Sequence, residues 1–214
     1  MRFPFVTAAI AALCFALPAT AQKLTGASVT GQRAETRMMV FNDDFSVFAM
    51  ASLTHGQPDW KAEYDGMMDK LKGKLNRLGK DWFTTLINSS EMEIGGTKIP
   101  AGSYVMALHC DKDGKFALAF MDSTKAMKHG ILPWSGDWTP EFTAPLTLNK
   151  DVAKDVVGKM TMTFTADKDG AGKGTFTLAW GKHTLTAPAM LHGPHAHKAA
   201  ETGGDHGKKD AHGK

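Results

Sequence analysis

The sequence has little cysteine, little tyrosine and a single long apolar run. Two of its 214 residues are cysteine and two are tyrosine. Cys14 lies within the N-terminal apolar run, so Cys110 is the only thiol expected in the mature chain. A lone thiol excludes an intramolecular disulfide, and we expect Cys110 to be buried or incidental. No later stretch is long enough to span a membrane.

The chain also lacks a strong charge of one sign and any familiar catalytic motif. It has 25 basic and 22 acidic residues, a net charge of +3, and the two signs are interspersed. Without a basic stripe and interleaved aromatic residues, we expect no nucleic-acid partner. The Gly-x-Ser-x-Gly, His-Glu-x-x-His and phosphate-loop patterns are absent. These absences favour a non-catalytic protein, although they leave open a pair of carboxylates distant in sequence.

The first 21 residues have the organisation of a secretory signal peptide. Arg2 supplies a basic start, residues 3–17 form an apolar run, and small residues fill Pro18–Ala21. The run is too short for a stable membrane span, and the small residues form an Ala-x-Ala cleavage site. We therefore expect cleavage after Ala21 and a periplasmic or secreted mature protein.

Most of the remaining chain has the two-residue period of β-strands. The predicted strands cover residues 38–41, 45–53, 103–109, 115–121, 160–165, 175–180 and 182–189. Turn-forming clusters such as Asp111–Gly114 separate them. This pattern predicts a mainly β protein, an antiparallel β-sandwich, in a single domain over residues 22–191.

Three segments depart from the strand pattern. Between Asp59 and Leu78 the apolar residues recur at helical spacing, which predicts one helix that is weakest near Gly73. Asp122–Trp138 contains two glycines and a proline and is predicted to be a long surface loop. Residues 192–214 are rich in His, Gly and Lys and are predicted to form a disordered tail.

Three short motifs resemble those of the DUF2911 family of exported bacterial proteins, whose function is unassigned. The sequence has Gly95-Gly96 followed by Pro100-Ala101-Gly102-Ser103-Tyr104, and later Leu178-Ala179-Trp180-Gly181. Gly79–Leu86 is similar to the family's tryptophan-containing segment, but Phe83 to Thr85 replace its Arg- and Asn-containing cluster. The resemblance spans about residues 36–190 and implies an exported β domain.

Aromatic and imidazole side chains are the best candidates for contact with a ligand. Trp134 and Trp138 flank Pro133 and Gly136 in the predicted loop, and tryptophans in loops often anchor ligands. The same rings would equally serve to cap an open end of the sandwich. His183 is predicted to point to the apolar face of its strand. It is either a ligand contact or a structural hydrogen-bonding residue.

Histidine and methionine provide a second set of candidates, this time for metal ions. Neutral imidazole is a common ligand for zinc, copper and nickel, and a thioether beside an imidazole suits Cu(I). The candidate ligands are His192, His195, His197, His206 and His212, together with Met127 and His129. No cofactor is required by this pattern, and a weakly bound transition metal is the expectation.

Taken together, these features predict an exported, non-catalytic binding domain whose partner is a small molecule or an envelope protein. One alternative is an enzyme or isomerase that acts on a sugar or another small ligand in a cleft of the sandwich. The other is metal binding through the His-rich tail and the Met/His pairs.

Overall fold

An antiparallel sheet that nearly closes on itself forms the body of the protein. The computed structural model describes residues 31–136, 138–149, 155–168, 170 and 172–193. Within these residues the strands are β1 Arg33–Phe41, β2 Val47–Gly56, β3 Lys74–Arg77, β4 Thr84–Asn88, β5 Met92–Ile94, β6 Thr97–Ile99, β7 Gly102–Cys110, β8 Phe116–Asp122, β9 Phe142–Leu148, β10 Val157–Ala166, β11 Lys173–Gly181 and β12 His183–Leu191. Their order is β1-β2-β4-β7-β8-β9-β12-β11-β10, with β3 beside β7 and the β5–β6 hairpin beside β12. The predicted mainly β, antiparallel sandwich is confirmed.

Strand β9 joins the two layers of the sandwich. Its first part pairs with β8, where Phe142 faces Phe120, and its last residues pair with β12, where Leu148 faces Leu185. Inward side chains from both layers form one apolar core, in which Phe120, Phe176 and Leu118 are fully buried. Alternating apolar residues place one face of each strand in this core, which is why the two-residue period predicted β1, β2, β7, β8, β10, β11 and β12. Strands β3 to β6 and β9 were not predicted.

The Pro-Ala-Gly-x-Tyr motif builds the start of β7. The Tyr104 hydroxyl donates a hydrogen bond back to the Pro100 carbonyl oxygen at 3.0 Å. A Cβ atom on Gly102 would lie 3.0 Å from that hydroxyl, so the ring requires glycine there. The motif therefore has a local architectural role in the sheet.

Side chains and one carbonyl, rather than a strand ladder, join the two ends of the sheet. Alternate backbone N–H groups of β10 donate to three acceptors from the β1–β2 side: Met160 to Pro58 O at 3.0 Å, Met162 to His55 Nε2 at 3.3 Å and Phe164 to Thr36 Oγ1 at 3.2 Å. These bonds satisfy polar groups that would otherwise lie unpaired along the seam.

His55 is the buried centre of this seam. Its side chain is 1% exposed, and its Nδ1 lies 3.3 Å from the Gly56 carbonyl oxygen. Because Nε2 accepts the N–H of Met162, the ring must be neutral and carry its proton on Nδ1. Burial lowers the pKa of His55; the bond to Gly56 opposes this shift and the nearby charge of Arg33 adds to it.

The predicted helix over Asp59–Leu78 is wrong. The segment contains a 3-10 helix at Ala62–Tyr64, a four-residue helix α1 at Met68–Leu71, and then strand β3. Gly66 and Gly73 have φ values of 78° and 67°, which end regular helix on both sides of α1. The helical spacing of apolar residues arose from packing of an irregular segment across the core.

The predicted surface loop over Asp122–Trp138 is also wrong in part. Helix α2, Ser123–Lys128, begins where the Asp122 carboxylate accepts the N–H of Lys125 at 2.9 Å. Trp138 is 7% exposed and joins a second apolar cluster with Phe83 and Ala126 on the outer face of the sheet. The segment therefore covers a sheet face.

Cys110 is buried, as the sequence indicated. Burial raises the pKa of its thiol, and the neighbouring Asp111 adds to that effect. Both influences keep the thiol protonated and unreactive. Within the described ranges, none of the helices combines the length and the hydrophobicity that crossing a membrane requires.

The turn between β1 and β2 holds a phenylalanine in a strained conformation. Phe45 has a φ of 63° and its side chain is 86% exposed. The turn is fixed by hydrogen bonds from Asn42 N to Ser46 O and from Phe45 N to Asn42 O, both at 3.0 Å. A left-handed conformation costs a non-glycine residue about 1–2 kcal/mol, and little burial of the ring offsets it.

We expect Phe45→Asn to raise the unfolding free energy by about 1 kcal/mol, because asparagine tolerates the left-handed region better. Urea unfolding of the purified protein measures this change. The matched control is Phe41→Asn, a half-exposed strand position that should lose stability. A loss at Phe45 as large as that at Phe41 would contradict the strain argument.

We expect the unfolding free energy to fall as the pH drops below about 6.5, the ordinary pKa of histidine. The pKa of His55 is lowered in the folded protein, so the unfolded chain takes up this proton more readily. Urea unfolding at about pH 7.5, 6.5 and 5.5 should show a smaller fall in His55→Gln than in the unmodified protein. All other histidines are common to both proteins, so equal falls would contradict the assignment.

Candidate functional site

One end of the sandwich is crossed by an irregular segment, residues 57–73, which we call the strap. Its first residues lie against β10: Trp60 N donates to Gly158 O at 2.7 Å, and Gln57 Nε2 donates to Met160 O at 3.1 Å. The Pro58 carbonyl oxygen accepts both the N–H of Met160 and the indole N–H of Trp180, each at 3.0 Å. The strap is therefore fixed to both β10 and β11.

Four rings pack together where the strap meets β11 and β12. The Trp60 ring centroid lies 5.1 Å from that of Trp180, 5.8 Å from that of Tyr64 and 5.9 Å from that of His183, all edge to face. A Cβ atom on Gly181 would lie 2.4 Å from the Trp60 ring, so only glycine permits this contact. The aromatic cluster thus depends on the glycine that follows Trp180.

Beneath the strap lies an apolar cavity of about 60 Å³ between the two layers. Its lining residues come from the strap and from six strands: Met67, Met68, Leu71, Asn76, Arg77, Leu78, Leu108, Phe116, Met160, Leu178, Trp180, His183 and Leu185. Apart from the Trp180 indole, only three of these side chains are polar, namely Asn76, Arg77 and His183. Such a lining, mostly apolar with a few polar groups, is typical of small-molecule sites.

The cavity can enlarge only if part of the strap moves. An apolar cavity of about 150 Å³ is enough to bind benzene, so the closed cavity is too small for a ring. Met67, Met68 and Leu71 form the strap side of the cavity lining, and methionine adapts its shape at little cost. Gly66 and Gly73 bracket this part of the strap, and nothing lies within 4 Å of a Cβ atom built on Gly66.

Three polar contacts hold residues 65–73 of the strap. Asn76 Nδ2 donates to the Leu71 carbonyl oxygen at 3.1 Å, and Gly73 N donates to the Asp111 carbonyl oxygen at 3.2 Å. Lys182 Nζ lies 3.6 Å from the Asp65 carboxylate, and both side chains are about half exposed. Ion pairs that are this exposed contribute about 0–1 kcal/mol, so the restraint comes mainly from the two hydrogen bonds.

The structure separates the three residues predicted to contact a ligand. His183 borders the cavity and packs against Trp60. Trp138 is buried on the outer face of the sheet, so it covers that face and does not cap an end of the sandwich. Trp134 is 60% exposed, and its ring lies under the Arg77 guanidinium at 6.0 Å. They do not form one site, and only His183 lies in the cavity wall.

Trp138 borders a second, open groove of about 520 Å³ on the outer face. The groove also contains His109 and Glu141. The Glu141 carboxylate is already bound, by Lys125 at 3.0 Å and by the N–H of Asp122 at 3.3 Å. Its negative charge is therefore compensated by Lys125 of helix α2 and by the backbone N–H of Asp122 at the end of β8.

The metal-ligand candidates that the structure describes do not form a cluster. Met127 and His129 are exposed at the end of helix α2. His192 Nε2 is buried and lies 3.9 Å from the Glu93 carboxylate. Within the described part of the chain, no group of three or more His, Cys, Asp or Glu residues is placed to hold a metal ion. The other candidates, His195, His197, His206 and His212, lie outside the described residues.

A scan against protein-family models, a search of curated proteins and a search of solved structures found no match to this chain. The geometry of the cavity is therefore the main guide to function. The strap residues that line it, Met67, Met68 and Leu71, were predicted only as one face of a helix. The signal that could have located the strap is the pair Gly66 and Gly73, seven residues apart within a run of apolar side chains.

We expect Trp180→Ala to lower the unfolding free energy by about 3 kcal/mol, because it removes a core aromatic ring that supports the strap. Trp180→Phe should cost about 1 kcal/mol, since it keeps a ring but loses the bond to Pro58. Urea unfolding measures both changes, and Trp134→Ala at an exposed position is the control. A loss below about 1 kcal/mol for Trp180→Ala would show that the ring does not support the strap.

Proposed function

We propose that this chain is an exported, non-catalytic binding protein that holds a small apolar molecule in the cavity beneath the strap. The observation that carries the proposal is an apolar cavity lined by Met67, Met68 and Leu71 of a strap segment that two glycines bracket. Burial of apolar surface contributes a favourable free energy of about 25 cal/mol per Å². An apolar ligand would therefore bind without an extensive polar contact.

Export is part of the proposal and rests on the N-terminal leader, residues 1–21. The resemblance to DUF2911 proteins at Gly95–Gly96, Pro100–Tyr104 and Leu178–Gly181 agrees with an exported β domain. A binding protein outside the cytoplasmic membrane would meet apolar molecules released from the envelope, and a weakly held strap would allow them to enter and leave.

The nature of the cavity wall favours binding over catalysis. His183 is the only histidine in the described lining, and no Ser, Cys, Asp or Glu stands beside it in that lining. General acid–base or nucleophilic chemistry needs a positioned partner for the imidazole. The wall therefore suits retention of a ligand.

The alternative of an enzyme acting on a sugar would place its ligand in the outer groove. Its volume of about 520 Å³ is within the range of small-molecule sites. However, the described lining holds one carboxylate, that of Glu141, which is bound at Oε1 by Lys125 and the Asp122 N–H, whereas glycoside hydrolysis uses a pair of carboxyl groups. Metal binding through His192–His212 is a separate proposal that rests on composition alone.

The test uses N-phenyl-1-naphthylamine, a neutral apolar dye that fluoresces when it leaves water. We expect the mature protein to bind the dye with micromolar affinity, and Leu71→Trp, which fills the cavity, to weaken binding at least about tenfold. Binding should also raise the melting temperature as the dye concentration rises.

Leu132→Trp is the matched control, because it makes the same substitution at a loop position outside the cavity lining. It should bind the dye as well as the unmodified protein. Failure of the unmodified protein to bind, or equal binding by all three proteins, would refute the cavity as the site.

A further inference from the structure

We propose that the ligand of this cavity is a single-chain amphiphile with an anionic head group, and that Arg77 binds that head. This inference rests on the proposed function, because it assigns a ligand class to the same cavity. The apolar chain would lie between the two layers, and the head would remain at the rim, where Arg77 is exposed.

The charges around the cavity favour an anion. Arg77 is the only permanently charged residue in the described lining, and none of the lining residues is acidic. The nearest carboxylates on the strap are already paired: Asp65 with Lys182 at 3.6 Å and Asp69 with Lys72 at 2.8 Å. An anion at the rim would therefore meet a net positive charge.

The surroundings of Arg77 also favour the binding of an anion. Its guanidinium lies 6.0 Å from the centroid of the exposed Trp134 ring, and no ion pair with Asp or Glu is formed by Arg77 in the described part of the chain. Contact with an aromatic face leaves the N–H groups at the edge of the guanidinium free. These N–H groups form a planar fork that matches the two oxygens of a carboxylate or phosphate.

Opening of the strap would strengthen this preference. Asp69 and Lys72 lie on the same movable segment and form an ion pair. Their opposite charges would therefore move together when the strap opens. Separation of Asp65 from Lys182 would release a second cation, since Lys182 lies directly before the cavity residue His183. An amphiphile would then bind with its chain among Leu108, Phe116 and Leu178 and its head near two cations.

The experiment compares three ten-carbon ligands, decanoate, decyl phosphate and decanol, as competitors that displace N-phenyl-1-naphthylamine. In the unmodified protein we expect at least one of the two anions to displace the dye at about tenfold lower concentration than decanol. The preference should shrink at high salt, where exposed charges are screened. Comparing decanoate with decyl phosphate distinguishes a carboxylate from a phosphate head.

Arg77→Gln should reduce the preference for the anion over decanol, both measured in that variant, to about twofold or less. Arg77→Lys keeps the charge and should retain part of the preference. Arg37→Gln is the control, because it removes a guanidinium on β1 outside the cavity lining. An unchanged melting temperature shows that each variant is folded.

The outcomes separate this inference from the proposed function. Equal displacement by decanol and both anions in the unmodified protein would overturn the anionic head group and leave dye binding intact. A preference that persists in Arg77→Gln would overturn the role of Arg77. Absence of dye binding in the unmodified protein would instead refute the cavity as a binding site.

Discussion

The structure depends on how the two ends of its sheet are joined. Three N–H groups of β10 are satisfied by a carbonyl, an imidazole and a hydroxyl, contributed by Pro58, His55 and Thr36. Pro58 lies at the start of the strap, and its oxygen also accepts the indole N–H of Trp180. One carbonyl therefore closes the sheet, fixes the strap and orients the aromatic cluster. Because both of its lone pairs are used, displacement of Pro58 would affect all three features together.

This arrangement explains why a rigid sheet carries a movable cover. The first part of the strap is held by backbone bonds to β10 and by ring contacts, whereas residues 66–73 are held to the rest of the domain by two hydrogen bonds, from Asn76 Nδ2 to the Leu71 carbonyl oxygen and from Gly73 N to the Asp111 carbonyl oxygen. Local opening occurs where few buried contacts and few backbone hydrogen bonds restrain the chain. Movement can therefore be confined to Met67, Met68 and Leu71 while the sheet stays closed.

Seven of the twelve described strands could be predicted from the sequence, because alternating apolar residues place one face of each in the core. Residues 103–109 and 115–121 correspond closely to β7 and β8, and Gly114 in the predicted turn between them has a φ of 85°. The strap was not predicted, because Trp60, Tyr64 and Leu71 have helical spacing although the positive φ values of Gly66 and Gly73 interrupt the helix. His55 carried no local signal either, since its partner Met162 is 107 residues away.

The two ends of the domain are suited to different tasks. His183 at the start of β12 borders the cavity, whereas Leu191 ends the same strand about 26 Å away at the usual rise per residue. Gly193, the last described residue, packs against Phe48 near the β1–β2 turn, at the end of the domain opposite the cavity. His192 is therefore far from Arg77 and the strap. Metal binding through His192 and ligand binding in the cavity would be physically separate, and loss of one need not alter the other.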